Sequence, residues 1–395
     1  MDGLGFTVPR RPRYARILLL SLAVVGAVCV HATGARAAVT ITEFGSGLNP
    51  GSVPGLLARG QGGTMWFTDG GTAPAIGKIT PSGTITEYSA GLNPGSNPID
   101  ITAGPNGTMW FTDEGVTPAI GKITASGTIT EYSTGLNPGS LPYWIARGAK
   151  GNLWFTDVGE NLAGSAAVGR ITPSGLITEY SAGLTSCGGS LGILPGPVEI
   201  VRGAGGKSMW FTDEGSPAIG KISSSGAITE YCGIAAGDSP VWMTSGLNGD
   251  AWFTEEGANS AIGRITPSGT ITSFSTGLNS QSEPFHIALG GDGNVWFTDI
   301  GLTSAVGRIT PSGEIHEYSS GLNPVSVPSW IAAGRSGMWF TDDGQTPAIG
   351  RIAPSGAITE YTSGLDGDGQ MIAAGAPDTM WFIGGGAAIG RVTTN

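Results

Sequence analysis

The chain has 395 residues, of which 69 are Gly, 25 are Pro and only 12% are charged, and 30 acidic against 19 basic side chains leave a net charge of −11. That carboxylate excess excludes the phosphate backbone of nucleic acid as a natural partner. Apolar residues at 39%, with 11 Trp and 12 Phe, supply too much buriable surface for a disordered chain.

The chain opens with Arg10, Arg11, Arg13 and Arg16, then an apolar run from Ile17 to Val30 and a small-residue cleavage signal at Ala35-Arg36-Ala37. This is the layout of a secretory signal peptide, so residues 1–37 are predicted to be removed on export and residues 38–395 to form one secreted domain. The domain then carries 14 basic against 29 acidic residues. No later apolar stretch reaches membrane-spanning length.

From Ile41 onward the sequence repeats. The dipeptide Trp-Phe begins at Trp66, Trp110, Trp154, Trp210, Trp252, Trp296, Trp339 and Trp381, at intervals of 44, 44, 56, 42, 44, 43 and 42 residues. Each unit runs through a Pro-containing segment, a Gly-rich turn, Trp-Phe-Thr, Ile-Gly-Arg-Ile-Thr, Pro-Ser-Gly and Ile-Thr-Glu-Tyr. Runs such as Ile85-Thr86-Glu87-Tyr88 alternate at period two and are rich in β-branched residues, which predicts strands. Thr80-Pro81-Ser82-Gly83 and Gly104-Pro105-Asn106-Gly107 have the turn chemistry of hairpins. The prediction is an all-β fold, a β-propeller of four-stranded antiparallel blades with eight repeats. The first strand, at Ile41, completes the last blade and closes the ring, and the Trp and Phe of each unit fill the space between blades.

Two cysteines remain after export. Cys187 lies in the one long insertion, between Tyr180 and Pro197, and Cys232 follows Tyr231 in the equivalent connection one blade later. Either a disulfide pins the long loop or two buried thiols remain free.

Two further sets of residues converge where the inner strands begin. Tyr143, Trp144, Trp242, Phe285, His286 and Trp330 surround the strand-opening prolines, with Asp100 and Glu199 at corresponding places. They predict a small-molecule, peptide or glycan ligand at the channel mouth. An acid run follows Trp-Phe-Thr in nearly every unit, including Glu256 and Asp299. It either recruits a divalent cation or caps turns as a product of repetition.

The wording of the repeats resembles the virginiamycin B lyase (streptogramin B lyase) family. Gly293-Asn294-Val295-Trp296-Phe297-Thr298-Asp299, Ala305-Val306-Gly307-Arg308-Ile309-Thr310-Pro311-Ser312-Gly313 and Ile315-His316-Glu317-Tyr318 carry the likeness. The resemblance implies a seven-bladed propeller that opens a cyclic depsipeptide antibiotic by Mg²⁺-assisted elimination. It also implies a His directly after the Pro of each of the last two inner strands, a Glu directly before the final one, and a Glu four residues after the final Trp. The chain departs from this pattern in its eight units and at the site: Ser329 and Gln370 stand where the imidazoles belong and Gly385 replaces one carboxylate, while Asp368 keeps the other.

The nearest approach to the signature is Glu283-Pro284-Phe285-His286, with the imidazole displaced by one residue. Such a shift turns a side chain to the opposite face of a strand unless a bulge restores it. The favoured reading is therefore a secreted binding or interaction propeller that has lost the catalyst, with Tyr143, Trp144, Trp242, Phe285, Ser329, Trp330 and Gln370 meeting the ligand. The alternative is a Mg²⁺-dependent carbon–oxygen lyase with a relocated site, in which His286 acts as base and Glu283, Glu256, Asp299 and Asp368 are candidate metal ligands.

Overall fold

A computed structural model describes residues 39–159, 166–184, 187 and 196–394. The signal-peptide reading of residues 1–37 falls outside this range, as does the long insertion at residues 185–195 apart from Cys187. The described residues form eight sheets, each of four antiparallel strands, and helix is confined to three-residue turns. Blades 1 to 8 are numbered here by their inner strands: Pro54–Arg59, Pro98–Ala103, Pro142–Arg147, Pro197–Arg202, Asp238–Ser245, Pro284–Leu289, Pro328–Gly334 and Gly369–Ala374.

Each inner strand touches the next around the ring, and that of blade 8 touches blade 1. Val39–Phe44 closes the circle as the outer strand of blade 8, with Val39 opposite Thr394 and Phe44 opposite Ile389. The first and last strands of the propeller thus protect each other's edges. Among the described residues no helix is long and apolar enough to cross a membrane.

The repeated words are the parts of one packing unit. Phe67 lies opposite Gly77 in the sheet, and a Cβ on Gly77 would come within 1.9 Å of the Phe67 ring, so only Gly fits there. Trp66 points the other way, into a cluster with Ile101, Met109 and Phe111 of blade 2. Burying such an indole removes roughly 200 Å² from water, about 5 kcal/mol before the entropy of ordering it. Lys78 lies 5.1 Å over the Trp66 ring, and Tyr88 stacks on that ring at 6.0 Å. The core is therefore divided among eight seams between blades. In the turn that follows, Gly83 at φ +91° donates its N–H to the Thr80 carbonyl at 2.9 Å.

Inner strands start at one face of the ring, the upper face, where second strands end and where the chain crosses between blades. Tight turns joining first to second and third to fourth strands form the lower face.

Candidate functional site

Every inner strand carries a bulge near its upper end. In blade 1, Pro54 pairs with Asp69 and Leu57 with Phe67, so Gly55 and Leu56 together face Thr68. The same register shift occurs in the other seven blades. An extra residue reverses the parity of the strand, so the side chain two after the residue that precedes the bulge, which is the strand opener in seven blades and its equivalent Pro240 in blade 5, is carried to the axis.

These positions are Leu56, Asp100, Trp144, Glu199, Trp242, His286, Trp330 and Met371. Trp144 of blade 3 and Trp330 of blade 7 lie on opposite sides of the ring, yet their ring centroids are 6.5 Å apart. Trp242 lies between them, 5.6 Å from Trp144 and 4.9 Å from Trp330. The His286 ring packs at 4.4 Å from Trp330 and 5.3 Å from Trp242. The tryptophans expected to line a channel mouth instead meet one another across the axis and plug it. Trp144 and Trp242 bury their indole N–H groups without an acceptor.

The eight positions alternate in character. Blades 1, 3, 5 and 7 supply Leu56 and the three tryptophans. Blades 2, 4, 6 and 8 supply side chains that accept a backbone N–H from the next blade: Asp100 from Ile145 at 2.9 Å, Glu199 from Met243, His286 from Ile331 at 3.3 Å, and Met371 from Leu57. His286 accepts through Nδ1, which requires an unprotonated Nδ1 and holds the ring neutral. Burial lowers its pKa to about 3. Burial pushes Asp100 up to about 7 and Glu199 to about 8.

Among the described residues a second contact joins one blade to the next in five of the eight seams. Thr68 Oγ1 accepts the Leu56 N–H and donates to the Ile99 carbonyl of blade 2, both at 3.0 Å. Thr112, Thr156, Thr212 and Thr298 likewise donate to carbonyls of the following blade. The recurrent Thr of Trp-Phe-Thr was its only trace.

The acid after Trp-Phe-Thr is structural. Asp69 Oδ1 accepts the N–H groups of Val53 at 2.7 Å and Gly71 at 2.8 Å, and Oδ2 accepts the Ser52 hydroxyl. Glu87, from the fourth strand, hydrogen bonds to Asp69 and accepts the Asn49 N–H. Pairs of this kind recur as Asp113 with Glu131, Asp157 with Glu179, Asp213 with Glu230, Asp299 with Glu317 and Asp342 with Glu360. Desolvation and the partner carboxyl raise the pKa within each pair, so the two groups share a proton. The turn-capping reading of the acid run is the one these bonds support.

The remaining candidate residues are dispersed. Ser329 is buried and hydrogen bonds to Thr341 of its own blade at 2.8 Å, while Gln370 and Asp368 are exposed. Phe285 lies edge-on to Trp242 at 5.5 Å. Tyr143 is held un-ionised by burial, reinforced by Glu114, Glu214 and Asp100 around it. Cys187 and Cys232 are joined in a disulfide between the upper loops that flank blade 4.

The positions implied for the metal carboxylates can be checked blade by blade. The residue before the strand opener and the residue four after Trp are neighbours on the upper face. Backbone bonds join them in blade 6, from Ile300 N–H to the Glu283 carbonyl at 3.1 Å, and in blade 7, from Asp343 N–H to the Val327 carbonyl at 3.0 Å. Blade 6 thus pairs Glu283 with Ile300, blade 7 Val327 with Asp343, and blade 8 Asp368 with Gly385. Blade 5 pairs Ser239 with Glu256, and blade 2 pairs Asn97 with Glu114 in a 3.1 Å hydrogen bond. No blade supplies a carboxylate at both of these two positions. Asp299 gives its Oδ1 to the N–H groups of Glu283 and Gly301. Among the described residues no three His, Cys, Asp or Glu side chains group as a metal ion requires. The donor set does not fit Mg²⁺.

The virginiamycin B lyase family model matches residues 33–232 and 194–395. Virginiamycin B lyase from Staphylococcus aureus is 33% identical in sequence, with alignment over 77% of this chain and 97% of that one at a TM-score of 0.60. A catalytically inactive histidine-to-alanine form of that enzyme with quinupristin aligns equally widely, at 0.59. A streptogramin B lyase structure is 28% identical over 90% of this chain and 98% of its own, also at 0.60. A search of curated proteins returns no match. With the repeats matched from end to end, the chain belongs to the virginiamycin B lyase family.

Proposed function

We propose that this protein is an exported binding propeller that keeps the family scaffold and recognises a small-molecule, peptide or glycan ligand on its upper face without elimination chemistry. One observation carries the reading: no blade pairs a carboxylate before the strand opener with a second one four residues after Trp. The imidazole closest to the family signature, His286, spends Nδ1 on the Ile331 N–H and packs between two indoles. Elimination needs a base at the α-hydrogen and a cation on the departing oxygen, and these residues offer neither. The upper face retains Tyr143, Phe285 and the rim of the axial indole cluster, an aromatic surface against which a ligand can stack.

The test is incubation with quinupristin, with and without Mg²⁺, followed by chromatography with mass detection. Elimination leaves the mass unchanged and shifts retention, whereas the reading here expects unaltered substrate over hours. A mass-neutral product that disappears in His286→Ala would establish a relocated active site and overturn it.

A further inference from the structure

The cations of this acidic chain are confined to particular places. Of the fourteen lysines and arginines from residue 39 onward, eight lie over aromatic rings in the seams between blades. The other six are Arg59, Arg147, Lys150, Arg202, Lys207 and Arg335, and all sit at the lower ends of inner strands or in the turns that follow. Arg335 is neutralised by Asp378 at 2.9 Å. Arg147, Lys150, Arg202 and Lys207 are exposed, and none is ion-paired with a described carboxylate. Arg147 and Arg202 end the inner strands of the adjacent blades 3 and 4, and Lys150 and Lys207 lie in the turns that follow, so the four share one sector of the lower face.

The described carboxylates of the lower face are Asp250, Asp292, Glu314 and Asp378, all in blades 5 to 8. Three of them face a basic group, Arg264, His316 or Arg335, and Asp292 bonds to Asn294 and Trp296. Among the described residues the cationic patch is therefore uncompensated, while the carboxyl pairs crowd the opposite face. The same sector exposes two large apolar side chains: Leu176, 64% exposed in the lower turn of blade 3, and Leu247, 49% exposed in that of blade 5.

We propose that the lower face of blades 3 to 5 docks the protein on an anionic lipid surface. Four cations with no ion partner among the described residues suit a plane of phosphate headgroups, and the leucines of the same sector suit the interfacial zone just below them. A soluble polyanion would satisfy the cations but give the leucines nothing. The charge separation between the two faces would also turn the lower face toward such a surface and the upper face outward, whatever the upper face binds.

The experiment is cosedimentation of the protein from residue 38 onward with vesicles of phosphatidylglycerol and phosphatidylcholine, or of phosphatidylcholine alone. Binding is expected only with phosphatidylglycerol at about 50 mM NaCl and is lost at about 500 mM, where charges are screened within a few ångströms. Arg147→Ser/Lys150→Ser/Arg202→Ser/Lys207→Ser should lower the bound fraction about tenfold or more, and Leu176→Ser/Leu247→Ser several-fold, with melting curves unchanged. Arg335→Ser, which removes an already paired cation, should bind like the parent. Failure to bind phosphatidylglycerol vesicles, or undiminished binding by the quadruple variant, would overturn the proposal. So would capture by long-chain polyphosphate together with indifference to the leucine changes, which would make the patch a polyanion site.

Discussion

His286 shows how a single residue can look catalytic in a sequence and be structural in the fold. Its place in the ring is shared with Asp100, Glu199 and Met371, three unlike side chains whose common property is a lone pair for the N–H of the next blade. Acceptance through Nδ1 predicts a neutral Nε2–H tautomer, and nitrogen chemical shifts at pH 5 should show that form undiluted. Titration near the ordinary value of 6.5 would contradict the assignment. Because the folded pKa is lowered, the stability this residue contributes is present above its unfolded pKa and is lost as pH falls toward about 3. His286→Leu should cost about 1–3 kcal/mol in urea unfolding, since it strands a buried backbone donor. His286→Gln, which restores an acceptor, should recover part of it.

At the level of the blade, sequence words and structural contacts coincide because each word is one side of a packing constraint. Phe111 and Gly121 lie opposite each other, and a Cβ on Gly121 would stand 1.9 Å from the ring, so Gly121→Ala is predicted to destabilise by about 3 kcal/mol or more. An unchanged melting temperature would show that the ring can move aside. Strand order, eightfold repetition and closure by Ile41 were legible for the same reason: periodic Trp-Phe and Ile-Gly-Arg leave one way to bury their rings. The axis was not legible. Period-two reasoning counts residues along a regular strand, and the bulge opposite Thr298 inserts one residue between Pro284 and Ile287. Parity therefore assigns His286 to the wrong face, and in sequence the tryptophans that close the axis look the same as tryptophans that line one. The acid run was ambiguous for a different reason, since Asp69 and Glu87 come from separate strands and only the fold brings their carboxyls together.

Across the whole molecule these carboxyl pairs add up to a pH response. Six blades carry one, and within each the pKa is raised by burial first and by the partner second, from about 7 at Glu87 to about 8 at Glu131, Glu179, Asp213, Glu317 and Glu360. Asp100, Glu114, Glu199 and Glu255 move the same way. A group whose pKa is higher in the folded state favours folding in its protonated form. Its contribution is complete below the unfolded value, 4.5 for Glu and 3.8 for Asp, and is lost as pH rises through 7 to 8. Among the described residues His286 opposes this trend, and only below its ordinary value of 6.5. The propeller should therefore melt several degrees higher at pH 5.5 than at pH 9, and the loss should concentrate between pH 6 and 8.5. Each pair closes a loop on the upper face, so amide exchange at Asn49, Asn93 and Asn279 should accelerate over that window beyond the intrinsic base-catalysed rate. Substituting the fourth-strand acids by Gln removes the second charge while keeping an acceptor, so Glu87→Gln/Glu131→Gln/Glu317→Gln should flatten the profile. A melting temperature that rises from pH 5.5 to 9 would mean that the pairs are not protonated and that the upper loops are held by other contacts.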